Sequence, residues 1–245
     1  MIKTGEATPA FQPLYRQIKR LITEGLESGR WKPGQTIPSE LELARQFQVS
    51  HGTVRKAVAE LAQENVLVRR QGRGTFVASH AHERAQLAFL RIAPDDGEVN
   101  AVEASLVDCR RVRADARAAR DLELAPGATL VRVRRVLRIN GRPVIHEEAR
   151  VPAALFKGLD APLLEAHGCM LYTVYESAFH VRIVDAEERL KAVCADAETA
   201  AALRVAPDAP LLLVERVAYT YGRRPVELRR SLCNSARHHY ANSIS

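Results

Sequence analysis

Apolar residues in the first third of the chain recur with a helical period. Leu14, Ile18, Leu21, Ile22 and Leu26 share one face of a helix predicted from about 12 to 27, which Gly29 ends and Pro33-Gly34 follows with a turn. Ser39 heads a second, short helix: its hydroxyl caps the first turn, and Glu42 three residues on completes a capping box. Leu41, Ala44 and Phe47 give that helix a narrow apolar stripe. Ser50 is the N-cap of a third helix, expected from 51 to about 65, whose Val54, Ala57, Val58 and Leu61 fall at i, i+3, i+4 and i+7. That spacing turns His51, Thr53, Arg55 and Lys56 outward together. Two helices joined by so short a turn form a helix-turn-helix. From Val66 the period becomes that of strands, at 66 to 70 and 75 to 77, around a Gln71-Gly72-Arg73-Gly74 turn whose glycines permit positive φ.

Beyond a polar, aperiodic stretch at 79 to 86, expected to be a linker, strand periods dominate. Residues 112 to 141 match 193 to 222 without a gap at a constant shift of 81, with Asp115 on Asp196, Leu122 on Leu203, Pro126 on Pro207, Arg135 on Arg216 and Gly141 on Gly222. Each copy reads as strand end, short helix, proline turn, long strand and hairpin turn. Between them, 163 to 180 is helical with an interruption at Gly168. The two copies are expected to fold together as one α+β domain around an antiparallel sheet.

Charges interrupt its apolar rows. Val131, Val133, Arg135, Leu137 and Ile139 alternate onto one strand face, and Ile145, Glu147, Ala149 and Val151 do the same across the hairpin. Buried charges need partners, which leaves two readings open: an Arg135–Glu147 ion pair, or the lining of a pocket for a polar small molecule. Arg216, in the row Leu212, Val214, Arg216, Ala218, has the same ambiguity, and Glu227, Arg229 and Ser231 share a face further on.

Charge sharpens the division. Residues 1 to 78 hold 12 Lys and Arg against 7 Asp and Glu, whereas the other 167 residues hold 24 against 22, so the positive excess sits with the helix-turn-helix. Such a cationic head suits a nucleic-acid partner bound through salt-sensitive phosphate contacts. Cys109, Cys169, Cys194 and Cys233 lack paired spacing for zinc or a disulfide framework, and His80 and His82 lack acidic or cysteine partners. There is no apolar run near 18 residues and no signal pattern at the N-terminus, so a cytoplasmic protein with no membrane partner is expected. No nucleophile stands beside a base, and no cofactor is implied.

Pro13-Leu14-Tyr15, Gly29 to Gly34, Pro38-Ser39-Glu40, Val49-Ser50, Thr53-Val54-Arg55 and Gly72-Arg73-Gly74-Thr75-Phe76 resemble the winged helix-turn-helix of the GntR family of bacterial regulators. The resemblance implies DNA contacts from Ser50, Thr53, Arg55, Gln71, Gly72 and Arg73. His51 stands where the family usually has arginine, and so does Leu41, which is not carried over; Ser39 and Lys56 complete the candidate set. The second half, through Arg135, Gly141-Arg142-Pro143, Glu147, Pro152, Leu171-Tyr172, Arg216, Pro225-Val226-Glu227 and Tyr240, resembles the UTRA effector-binding domain of HutC-type members, whose fold is similar to chorismate lyase. It implies an effector site lined at Arg135, Glu147, Glu227 and the C-terminal Tyr240, with Arg216 added as the repeat partner of Arg135. Leu137 and Met170 replace an arginine and a hydroxyl found in relatives that bind sugar phosphates, which points to a carboxylate or other non-phosphorylated catabolite.

The expected layout is a DNA-binding head at 1–78, a linker at 79–86 and an effector-binding and dimerisation domain at 87–245. The expected function is a ligand-responsive repressor that binds a palindromic operator as a homodimer. The competing classes are an enzyme with residual chorismate-lyase-like chemistry and a ligand-blind DNA-binding protein.

Overall fold

The computed structural model describes residues 12–64, 66–79 and 90–242. The expected N-terminal arm at 1–10, Asn65, and positions 80–86 of the expected linker, with His80 and His82, lie outside the described residues. The chain divides into two compact units, Met1–Ala78 and Ser79–Ser245.

The first unit runs α1 (Leu14–Glu27), α2 (Glu40–Phe47), α3 (His51–Gln63), β1 (Leu67–Arg70) and β2 (Gly74–Val77). Its core joins Ile18, Ile22 and Leu26 of α1 to Leu43 and Ala44 of α2 and to Val54, Ala57, Val58 and Leu61 of α3. Each large aliphatic in this set contributes about 1.5–3 kcal/mol by leaving water. Two sequence expectations change. Leu41 is 58% exposed and Leu43 is buried in its place, so the stripe of α2 is Leu43, Ala44 and Phe47; Leu14 and Leu21 of α1 are also exposed. The reason is that α2 is a short helix clamped from one side, and its buried arc follows the direction of α3 and not the count of apolar residues. Gln48 ends α2 in the left-handed conformation, φ 53°, with its amide returning to Ala44 and Arg45. A non-glycine residue is held there because Val49 and Ser50 must start α3 at once.

β1 and β2 pair antiparallel from Leu67↔Val77 to Arg70↔Gly74. The segment before α2 adds to them, through a Thr36↔Phe76 bridge and the bonds of Gly34 to Val77 and Ile37 to Thr75. Gly25 admits Trp31: a Cβ at position 25 would lie 2.5 Å from the indole ring.

The second unit contains β3 (Ile92–Pro94), β4 (Val102–Arg113), α4 (Ala116–Asp121), β5 (Thr129–Ile139), β6 (Arg142–Pro152), α5 (Ala161–Ala166), α6 (Leu171–Phe179), β7 (Asp185–Cys194), α7 (Ala197–Leu203), β8 (Pro210–Thr220), β9 (Arg224–Cys233) and β10 (His238–Tyr240). Six strands form one antiparallel sheet in the order β4-β5-β6-β9-β8-β7, and β3 pairs with β10 separately. The internal repeat explains this order. Each copy builds a three-stranded meander, and the two meanders meet at their last strands, β6 and β9. Asp115 and Asp196, the matched N-caps, accept the amides of Ala118 and Thr199 at 2.7 Å each.

Helices cover both faces. α5 and α6 pack Leu164, Leu171, Val174 and Tyr175 against Val131, Val133, Ala149, Val151 and Ala218. On the other face α4 packs Ala118, Ala119 and Leu122 on Leu130 and Leu228, and α7 packs Ala200 and Leu203 on Leu211, Leu213 and Leu232. Between these two small helices a row of alternating charge crosses all six strands: Asp108, Arg134, Glu148, Arg230, Glu215 and Arg189 stand directly opposite one another in turn. Cross-strand opposite charges contribute about 0.2–1 kcal/mol a pair, which suits a half-solvated strip. The charges in the apolar rows lie on the opposite face, beneath α6.

Candidate DNA-binding head and ligand cavity

The start of α3 is built by Ser50. Its hydroxyl accepts the Thr53 amide at 3.2 Å and lies 2.8 Å from the Thr53 hydroxyl, which fixes the first turn and presents both groups at the surface. His51 and Arg55 are exposed beside them. His51 Nε2 lies 3.2 Å from Glu40, which also takes Arg69 of β1 at 2.6 Å, so one carboxylate ties α2, α3 and the hairpin together. Ser39 is exposed, but its hydroxyl belongs to the capping box, donating to Glu42 at 2.7 Å.

Lys56 is exposed as well, and it has a partner of its own. Its Nζ sits 3.9 Å from the centre of the Tyr15 ring, a cation–π contact with α1. One residue is about 100° of helix rotation, enough to carry Lys56 away from Arg55 and towards the first helix. At the hairpin tip Gln71, Gly72 and Arg73 are exposed, with Gly72 at φ 71° and Gly74 at φ 101°. Arg70, by contrast, lies over the Phe76 ring at 4.8 Å.

In the second unit, charges of the sheet face and the first turn of α6 surround a small cavity of about 60 Å³, room for several water molecules. Arg135, Glu147, Arg216, Arg229, Glu188 and Tyr240 line it together with Leu137 and Met170. Strand register places them: Arg135 is directly opposite Glu147, Arg216 opposite Glu188, and Arg229 opposite both Ala149 and Arg216. Arg135 donates to Glu147 at 2.7 and 2.6 Å and also to the Cys169 carbonyl. The ion pair and the pocket lining, alternatives in the sequence, are therefore one structure, with both side chains 4% exposed.

Arg229 forks onto Glu227 at 2.9 and 2.7 Å and reaches Glu147 at 3.4 Å. Glu227 is fully buried and does not line the cavity. It sits behind Arg229, where Tyr172 and Tyr175 donate to it at 3.2 and 2.9 Å. The expectation that Glu227 lines the site is corrected: it keeps its place in the row of Arg229 and Ser231, opposite Ala218, but Tyr172 and Tyr175 of α6 close over it. Tyr240 does line the cavity, donating its hydroxyl to Glu188. Arg216 donates to Glu188 at 2.7 and 2.5 Å and to the Tyr172 hydroxyl at 3.2 Å.

The electrostatics follow from this packing. Burial by itself pushes the Glu147 carboxyl up, but Arg135 and Arg229 override it and hold the group at about 2. Burial likewise opposes the charge on Arg229, and Glu147 and Glu227 raise its pKa well above the ordinary value. Tyr240 is pushed up to about 12 by burial and by its bond to the Glu188 carboxylate. Glu188 and Arg229 were not among the sequence candidates. Arg229 was legible as a charge sharing a face with Glu227. Glu188 was not: β7 has no clear apolar alternation, and Glu188 lies before the second copy of the repeat, which begins at 193.

Among the described residues no cluster could hold a metal ion, and no helix is long and apolar enough to cross a membrane.

Comparison with known proteins agrees with both units. The model of bacterial regulatory proteins, gntR family, matches residues 14–77, and that of the UTRA domain matches residues 99–239. The histidine utilization repressor of Klebsiella aerogenes is 31% identical over 215 residues, 83% of either chain. The transcriptional repressor NagR of Bacillus subtilis (strain 168) is 27% identical over 237 residues, 95% of this chain and 96% of that one. The crystal structure of the ligand-binding domain of a regulator assigned to the GntR family, from Bordetella bronchiseptica, is 46% identical with a TM-score of 0.62, covering 64% of this chain and 98% of that one.

A winged helix-turn-helix head joined to an antiparallel sheet domain of this kind defines a ligand-responsive, DNA-binding transcription regulator. The chain belongs to the GntR family of bacterial regulatory proteins, among members that carry a UTRA domain and have HutC-type repressors as relatives.

Proposed function

We propose that this protein is a homodimeric repressor whose two heads bind the halves of a palindromic operator, and that a small carboxylate without a phosphate group switches it through the cavity of the sheet domain. The head occupies 1–78, the linker 79–86 and the effector-binding and dimerisation domain 87–245. Operator contacts come from Ser50, His51, Thr53 and Arg55 at the start of α3 and from Gln71, Gly72 and Arg73 at the hairpin tip, with Ser39 and Lys56 supporting them through the cap and Tyr15. The effector meets Arg135, Glu147, Arg216 and Tyr240, and Glu227 acts through Arg229. The protein works in the cytoplasm, without a cofactor, and the cavity binds without catalysing.

The observation that carries this reading is the cavity itself: four arginines, Arg91, Arg135, Arg216 and Arg229, line a site in which Leu137 and Met170 offer a phosphate no donors. A ligand that binds one dimer geometry better than another shifts the population by that difference in affinity alone. The test is an electrophoretic shift with DNA flanking the protein's own gene. Salt-sensitive, sequence-selective binding is expected, with Arg73→Ala weakening it and lowering the salt slope by about 1. Binding that is indifferent to sequence, or an Arg73→Ala variant with unchanged affinity, would overturn the assignment of the head.

A further inference from the structure

Resting on the effector-binding reading, we propose that Glu188 is an internal competitor for the effector, and that the ligand is an anion whose single carboxylate takes the place of Glu188 on Arg216. The three buried arginines of the cluster are matched by three carboxylates. Arg135 is committed to Glu147 and Arg229 to Glu227, on the central strands β6 and β9, where both carboxylates are buried. Glu188 differs in position. It stands on β7, the edge of the sheet, with a neighbouring strand on one side only, so it can withdraw without opening a ladder on the other.

Its contacts resemble those a ligand carboxylate would make. One oxygen takes two guanidinium nitrogens of Arg216 at 2.7 and 2.5 Å. The other accepts the Tyr240 hydroxyl and lies 3.7 Å from Arg91 Nε. Exchange of one carboxylate for another keeps the cluster neutral, whereas adding an anion without an exchange would strand a charge in a buried site.

Glu188 also holds both strands of the small ribbon. Tyr240 is the last residue of β10, and Arg91 immediately precedes β3 and pairs with Asn242 at 2.7 Å. Displacing Glu188 from Arg216 therefore loosens β3 and β10 together. β3 is the first described strand after position 79.

The test uses the full chain, with sodium acetate as the probe and sodium chloride at equal ionic strength as the control. In Glu188→Ala acetate fills the vacated place, and the sheet-domain melting temperature is expected to rise saturably by about 2–4 °C. The wild type should shift less, and Glu188→Ala combined with Arg216→Gln should not respond. In the isosteric Glu188→Gln variant, amide exchange at 92–94 and 238–240 should be several-fold faster than in the wild type. Should Glu188→Ala fail to fold, Glu188→Gln takes the acetate test as well. Equal acetate and chloride responses in every variant, or unchanged exchange in Glu188→Gln, would overturn the proposal. Failure of the wild type to bind operator DNA would instead sink the proposed function and leave the acetate result standing.

Discussion

Glu147→Gln isolates the buried charge at the centre of the sheet. The substitution keeps the shape of the side chain and removes its charge, leaving Arg135 and Arg229 short of a carboxylate. Breaking one partner of a buried pair costs about 3–5 kcal/mol. An independent route gives a similar magnitude: a carboxyl held at about 2 against an ordinary 4.5 corresponds to about 3 kcal/mol, order of magnitude, at neutral pH. The sign is fixed by the direction of the shift. A depressed folded-state pKa contributes stability that is complete above the unfolded value and is lost as pH falls through the folded one. The gap between wild type and Glu147→Gln should thus be full at pH 7, narrow below about 4.5 and close near 2.

Denaturant unfolding followed by two probes reads this directly. The single tryptophan, Trp31, is buried in the first unit, so its fluorescence reports the head, whereas far-ultraviolet circular dichroism reports both units. Only the dichroism transition should move in the variant. A gap that stays constant from pH 7 to pH 3, or a shift in the Trp31 transition of equal size, would refute the account of Glu147 as a charge held by two arginines.

Two other substitutions probe the head. Ser50→Ala removes the cap of α3 and should destabilise the head by about 1 kcal/mol while weakening operator binding; unchanged Trp31 melting would show that the hydroxyl caps nothing. Gly25→Ala puts a methyl group 2.5 Å from the Trp31 ring, and overpacking of that kind costs about 1–3 kcal/mol, outweighing the roughly 1 kcal/mol gained in helix propensity. A head that melts higher than wild type would contradict that close contact.

Much of this protein was determined by local sequence. The capping box at Ser39 and Glu42, the Ser50 cap, the spacing of Val54, Ala57, Val58 and Leu61, and the glycines of the hairpin all act within a few residues, and each specifies its element without help from elsewhere. The 81-residue repeat likewise carried the plan of the sheet domain, because each copy is a local meander. The Arg135–Glu147 pair was also legible, since the hairpin sets the register between adjacent strands. Tertiary structure decided the rest. Which arc of α2 is buried depends on where α3 lies, so Leu43 replaced Leu41 in the core. Lys56 stays exposed, but its contact with Tyr15 of another helix could not be read from local spacing. Above all, whether a charge lines the cavity or stands behind it depends on segments distant in sequence: Glu188 meets Tyr240 only once β10 has paired with β3, Arg229 reaches Glu147 only once the two meanders have joined, and Glu227 is closed in behind Arg229 by Tyr172 and Tyr175 of α6. Strand periodicity says which face a side chain takes, but only the assembled sheet says what it faces.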